Sequence, residues 1–325
     1  MTTLADLRTP REAVLAGTTA LGALQRGEGN WSDFKVFNVP GIEWITGFVL
    51  LSLARQNSAP GWNAKGLPRA RSFLHNSQRG NGGWGYHPTA PADADSTATC
   101  LRALLATGPA DVATDKAADL LESWIEADGV ATYPSGTRGI PTGSGYAKPS
   151  DCVTANVVLA LHAAGRETGA LVATLLRRGG GTEGWSSYWW EGHTYLQAIA
   201  VQALATAAPD NPAAREMIHR TARRIEEEQR PNGAWCIKDS NGNSRDSAFE
   251  TAMALCCLAA AGLDNAARLA ALVSFQGENG IWPNEAVMRV PALSAKAAAA
   301  HPPLASGQTG VFATAAALMG VQDMS

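Results

Sequence analysis

The sequence predicts an all-α fold, an α6/α6 barrel (toroid) in which six helical hairpins close into a ring. Three observations carry this. A Gln-Gly-Trp turn motif recurs along the chain. A Thr-anchored apolar helix follows each occurrence. No stretch shows sustained two-residue alternation, so strands are absent or few.

The repeats run in order. The first has Gln25, Gly29 and Trp31, then a helix anchored at Thr46 with Leu50 and Leu53 four and seven residues on. The second has Gln78, Gly82 and Trp84, then Thr97, Leu101 and Leu104. The third turn is degenerate, around Gly129 and Tyr133, but its helix keeps Thr154, Val158 and Leu161. The fourth, Gly179-Gly184-Trp185, lacks the Gln, and Gln197 replaces the Thr ahead of Val201 and Leu204. The fifth has Gln229, Gly233 and Trp235, then Thr251, Leu255 and Leu258. The sixth has Gln276, Gly280 and Trp282, then Thr314, Leu318 and Val321.

Spacings of four and seven are helical, and each glycine-rich segment reads as the turn between two helices. The anchors are 43 residues apart at the closest (Thr154 to Gln197) and 63 at the widest (Thr251 to Thr314). The second helix of each pair is rich in Ala, Leu, Val and Cys, whereas first helices carry charge, as in Arg220, Arg223, Arg224 and Glu226. A buried inner ring within an amphipathic outer ring explains that asymmetry. The expectation is a single domain over 1–325.

Composition narrows the function. With 46% hydrophobic and 17% charged residues the chain has ample core and is not disordered. A net charge of −3 without a basic block argues against a nucleic-acid partner. No apolar run suggests a transmembrane segment, and the start of the chain shows no signal peptide. Five unpaired-looking cysteines read as reduced thiols, so a cytoplasmic protein is expected.

The Gln-x3-Gly-x-Trp turns resemble the QW repeats of the triterpene cyclases, in particular the squalene–hopene type. Asn81-Gly82-Gly83-Trp84-Gly85, followed by Asp93-Ala94-Asp95-Ser96-Thr97-Ala98, resembles that family's Asp-x-Asp-Asp-Thr-Ala acid motif, with Ser96 in place of the third Asp. The resemblance spans nearly the whole chain and corresponds to the acid-bearing one of the family's two α domains. The superfamily also includes protein prenyltransferase β-subunits. The resemblance implies a class II terpene cyclase: protonation-initiated cyclisation of an isoprenoid, with Asp95 as the acid, Asp93 as its neighbour and His193 as a contact to it. It implies no metal and no cofactor, or Mg2+ if the substrate is a diphosphate.

Aligning the inner helices gives an inference of its own. The position two before each anchor holds Trp44, Asp95, Cys152, Tyr195, Phe249 and Phe312. If that position faces the lumen, four aromatics and a thiol surround one carboxylate, and such a wall stabilises cations without supplying a nucleophile. A polyisoprenoid would bind against these residues and Glu250. An apolar lumen and a second carboxylate raise an acid's pKa, while the helix dipole lowers it.

Other readings remain. Asp93 and Asp95 suit helix caps. Asp151, Cys152 and His193 supply zinc-ligand types at spacings unlike the prenyltransferases. Trp235-Cys236 is faintly similar to the lanthipeptide cyclase toroids. Asp95 with Glu250 makes a glycosidase-like pair. A non-catalytic toroid binding an apolar ligand or partner protein, and a relative repurposed for another natural-product intermediate, are the alternatives. The long connections 132–150, 236–246 and 283–309 should lie at the mouth near Asp95. Their Arg138, Lys148, Lys238 and Arg245 are either solvated or available to an anion.

Overall fold

The computed structural model describes residues 8–36, 38–56, 60–141, 143–181, 184–238, 242–264, 266–290 and 304–322. Among them twelve α-helices alternate between an outer and an inner layer: α1 (Pro10–Leu24) and α2 (Glu43–Ala54), α3 (Pro60–Ser77) and α4 (Ala94–Thr107), α5 (Val112–Ser123) and α6 (Asp151–Ala163), α7 (Gly169–Gly179) and α8 (Thr194–Ala207), α9 (Pro212–Glu227) and α10 (Ala248–Ala260), α11 (Leu269–Ser274) and α12 (Val311–Gln322). Each inner helix packs on the next, and α12 packs on α2, so the ring closes. The seam is tied by Ser52 Oγ donating to Ala315 O at 2.7 Å and Gln56 Nε2 to Leu318 O at 3.2 Å.

The two layers differ as their sequences require. In α10 every residue from Ala248 to Leu258 is buried. In α9 only Ala214, Met217, Ile218, Thr221, Ala222 and Ile225 are, a helical stripe facing the inner ring.

The recurring turn joins three helices. The indole N–H of Trp31, Trp84, Trp185, Trp235 and Trp282 donates to the carbonyl ten residues earlier, near the end of its own outer helix, at 2.7–2.9 Å. Where Gln is present, its amide donates to the glycine carbonyl of the turn. In three repeats it also reaches a carbonyl on the neighbouring outer helix, at Gly66, Ala113 and Ala13. Gly29 and Gly82 have φ +93°, and a Cβ on either would lie within 2.7 Å of the carbonyl oxygen of Arg69 or Lys116.

The anchor threonines complete the joint. The backbone N–H of Trp31, Trp84, Val130, Trp235 and Trp282 donates to the hydroxyl of Thr46, Thr97, Thr154, Thr251 and Thr314, at 3.0–3.1 Å. The third repeat keeps this bond despite its degenerate turn. In the fourth, Gln197 stands in for Thr and its buried Oε1 has no partner.

Strands are few and short. β1 (Asp33–Val36) pairs with β2 (Val39–Gly41), β3 (Cys236–Lys238) with β4 (Ser244–Asp246), and β5 (Val287–Arg289) with β6 (Leu304–Ser306), all antiparallel. All three hairpins lie in outer-to-inner connections. No helix among the described residues is long and apolar enough to cross a membrane. The five cysteines are free.

Trp84→Ala is expected to lower stability by about 3–5 kcal/mol, because it empties a fully buried site. Thr251→Val should cost about 1–3 kcal/mol by leaving the buried Trp235 N–H without its acceptor. Urea unfolding measures both, and unchanged midpoints would remove the joint from the account of the fold.

Candidate active site

A cavity of about 340 Å³ opens at the end where the inner helices begin, a size within the range of small-molecule sites. Trp44 and Asp95 line it from α2 and α4, with Asp93 and Ser96 beside them. The rest of the wall comes from connections: Tyr86 and Ala90 after the second turn, Tyr133, Ile140 and Tyr146 from the 132–150 connection, Trp189 and Trp190 ahead of α8, and Met288 on β5.

Asp93 is the N-cap of α4. Its Oδ1 accepts the backbone N–H of Ser96 and its Oδ2 the Ser96 hydroxyl, both at 2.7 Å. Ser96 therefore secures the neighbouring carboxylate rather than adding a third. Asp95, in the first turn, is held differently. Asn156 on the adjoining α6 donates from Nδ2 to Asp95 Oδ1 at 2.9 Å and to Thr99 Oγ1 at 2.9 Å. Arg102 donates to Asn156 Oδ1 at 2.7 Å. Because Arg102 is solely a donor, this contact sets the amide orientation, and Nδ2 must face Asp95.

Burial raises both acids. It pushes Asp93 up to about 7 against the hydrogen bonds from Ser96, with the Asp95 charge adding to the rise. It pushes Asp95 up to about 6, held down by Asn156, the Arg102 charge and the Trp44 indole. Behind the wall, Glu43 is buried and also raised by burial, although it pairs with Arg79 at 2.7 Å and accepts Gly85 N–H at 2.8 Å. Arg79 also donates to the carbonyls of His87 and Ala90, which fixes the segment carrying Tyr86.

The six positions two before the anchors do face one lumen, but it is not an open one. Trp190 stacks into it, with ring centroids 4.8 Å from Tyr195, 5.1 Å from Phe249, 5.4 Å from Phe312 and 6.2 Å from Trp44. Tyr195, Phe249 and Phe312 consequently lie beneath Trp190 rather than on the cavity wall. Tyr195 instead lines a second, far smaller cavity of about 30 Å³ deeper in the ring, with Phe48, Thr99 and Arg102. Cys152 is buried beside Ser150, and burial raises its thiol to about 11. Trp190 is held by β5: it bridges to Met288, Glu191 N–H donates to Val287 O at 3.0 Å, and Arg289 N–H to Trp189 O at 2.7 Å.

Two expected site residues lie elsewhere. His193 does not contact Asp95. Its Nε2 is 2.7 Å from Glu228 Oε2, and its side chain is 52% exposed. The ring order explains this, since α6 stands between α4 and α8 and its Asn156 occupies the place beside the acid. Glu250 is buried, accepts the Thr194 hydroxyl at 2.5 Å and lies under Gly192, outside the cavity wall, so it forms no pair with Asp95 across that space. Asp151 is tied to Arg178 and to Ser186 N–H. Asp151, Cys152 and His193 are thus not gathered as zinc ligands, and no group of three or more His, Cys, Asp or Glu among the described residues is placed to hold a metal.

Of the long connections, 132–150 and β5 reach the cavity. The β3–β4 hairpin contributes no residue to its wall, and Arg245 there is paired to Glu285 at 3.0 Å. Arg138, Lys148 and Lys238 are exposed. Residues 291–303 of the third connection lie outside the described residues.

Solved structures of the same fold are known. A variant of the type II terpene cyclase MstE from Scytonema, in complex with its substrate geranylgeranyl dihydroxybenzoate, is 24% identical over 97% of this chain and 97% of its own, with a TM-score of 0.83. A protein from Actinoplanes is 26% identical over 97% and 99%, with a TM-score of 0.83. The ent-copalyl diphosphate synthase from Streptomyces platensis is 19% identical over 86% of this chain and 50% of its own, with a TM-score of 0.62. The fold is that of the terpene cyclase helical toroids. No family profile matches the chain, and no curated protein does.

The raised acids make stability depend on pH with an unusual sign. Between their ordinary range near 3.8 and about 7, the folded state holds more protons than the unfolded one, so stability falls as pH rises through that window. Asp93→Asn keeps an N-cap acceptor and removes one titrating group. Urea unfolding at pH 5 and pH 8 should show a smaller loss for this variant than for the wild type, and an identical loss would remove Asp93 as its source.

Proposed function

We propose that the chain is a class II-type terpene cyclase that starts ring closure by protonating an alkene of a polyisoprenoid, with Asp95 as general acid. One observation carries the reading: a carboxyl group with a pKa near 6 stands in the wall of an aromatic cavity, its Oδ1 committed to Asn156. With Oδ1 accepting a hydrogen bond, the proton belongs on Oδ2.

The chemistry balances as an isomerisation. The Oδ2 proton goes to one alkene carbon, and the carbocation left on the other is attacked by the electron pair of the next alkene. Ring closure ends with loss of a proton to a base or water, and Asp95 is reprotonated from solvent. Trp44, Tyr133, Tyr146, Trp189 and Trp190 present ring surfaces that stabilise the moving positive charge. Tyr195, Phe249 and Phe312 act behind Trp190 by seating it. Asp93 fixes the start of α4 through Ser96, and Asn156 and Arg102 are positioning residues.

The likeness to cyclase structures holding substrate or product supports this reading at the level of fold.

Asp95→Asn keeps size and hydrogen bonding but has no acidic proton. Turnover of farnesyl or geranylgeranyl substrates should fall by more than about 10⁴-fold, the upper range for general acids, with analogue binding little changed. The wild-type rate should decline about tenfold per pH unit above about 6, as Asp95 ionises. Asn156→Leu removes a bond that favours the carboxylate, so it should lower kcat and shift that decline to higher pH. Normal turnover by Asp95→Asn, or a wild type that binds isoprenoids without converting any, defeats the cyclase reading in favour of a binding toroid.

A further inference from the structure

Trp190 stands where the cavity would otherwise continue down the lumen. It lines the cavity and is only 3% exposed. Its ring rests on the first-turn aromatics of three inner helices, with centroids 4.8 Å from Tyr195, 5.1 Å from Phe249 and 5.4 Å from Phe312, and it lies nearly parallel to Phe312 at 13°. Below these rings the lumen opens again, in the small cavity that begins at Tyr195 and Phe48. One lumen is thus interrupted by a stack of aromatic rings, and Trp190 is the ring nearest the mouth.

The chain fastens Trp190 from several sides. Ser187 Oγ accepts the Trp190 backbone N–H at 3.2 Å and donates to the Trp190 carbonyl at 3.1 Å. From β5, Arg289 Nε donates to Glu191 Oε2 at 2.8 Å and Arg289 Nη1 to Ser187 O at 3.1 Å. At the start of α8 the Thr194 hydroxyl donates to buried Glu250, and Gly192 lies against the same carboxyl group. Glu250 has no part in the acid chemistry, and its place is in holding the segment that carries Trp190.

A flexible isoprenoid gains affinity from each apolar unit it buries. It loses affinity once the next unit must overlap a ring that is packed and fastened in place. An indole has nearly twice as many heavy atoms as an isoprene unit, so taking it away makes room for one unit more.

We propose that Trp190 is the floor of the substrate cavity and sets the longest isoprenoid chain the protein accepts. This rests on the proposed role of the cavity as an isoprenoid site.

The test titrates geraniol, farnesol, geranylgeraniol and geranylfarnesol, and separately their diphosphates, into Asp95→Asn by calorimetry, with lengths compared only within one head group. The same series is titrated into Asp95→Asn combined with Trp190→Ala, Trp190→Phe or Trp189→Ala, each first checked for cooperative urea unfolding. Affinity should climb with chain length to a maximum and fall at the next unit. Trp190→Ala should raise affinity for that first excluded chain at least about tenfold, and Trp190→Phe, with a smaller ring on the same seat, should raise it less. Trp189 also lines the cavity, but its ring packs on Tyr146 and Tyr188 instead, so Trp189→Ala should leave the maximum in place. An unmoved maximum in Trp190→Ala, an equal shift in Trp189→Ala, no fall across the series, or no binding overturns the inference. If Trp190→Ala does not fold, Trp190→Phe decides: a rise for the excluded chain upholds the inference and no rise overturns it. Products are analysed separately with Asp95 intact. Turnover with an unmoved maximum overturns the floor and leaves the cyclase reading standing, and a moved maximum without turnover does the reverse.

Discussion

The hydrogen bond from the turn backbone to the inner-helix threonine is the constraint on which the rest of the structure depends. Each anchor threonine except the fourth repeat's Gln197 points outward and receives a backbone N–H from the turn. An α-helix advances 100° per residue, so a residue two before or two after the anchor lies about 200° away, on the lumen side. The position before holds Trp44, Asp95, Cys152, Tyr195, Phe249 and Phe312. The position after holds Phe48, Thr99, Asn156, Ile199, Met253 and Ala316. One outward bond thus places both the acid and its amide partner, on adjacent helices and one turn apart.

The acid chemistry follows from where the ring ends. Burial drives Asp95 and Asp93 upward, with the Asp95 charge adding to the rise of Asp93, and each is then pulled back by a few directed hydrogen bonds. The balance leaves a carboxyl that is protonated in part near neutral pH, without a third acid. Asp93 caps α4 and so holds in place the helix start that carries Asp95. The Arg102–Asn156–Asp95 chain reaches from the deeper small cavity to the main one, so the orientation of the acid is set from the far side of the ring.

The connections divide the lumen. Trp190 enters between the aromatic ends of four inner helices and is fastened there by β5, roughly a hundred residues later in the chain. This separates a roomy upper cavity from a water-sized lower one and replaces much of the expected inner-helix wall with loop residues. Tyr86, Tyr133 and Tyr146 arrive the same way, carried by segments that Arg79 and the Tyr133 N–H bond to Tyr146 O hold in place.

By itself the sequence determined the repeat, the two-layer ring, the anchor threonines and the placement of Trp44 and Asp95 at the mouth, because helical periodicity repeats the same geometry at every anchor. Asn156 was missed, although a signal for it was present: it is the amide two residues past Thr154 in a layer otherwise apolar or small apart from Thr99. Only the tertiary structure decided that Trp190 fills the lumen, that Tyr195, Phe249 and Phe312 sit beneath it, and that His193 turns to Glu228. Those outcomes depend on irregular connections with no period to read, and on which helix stands between two others around the ring. Contacts between residues far apart in the chain are set by the closed packing as a whole, and local spacing carries no record of them.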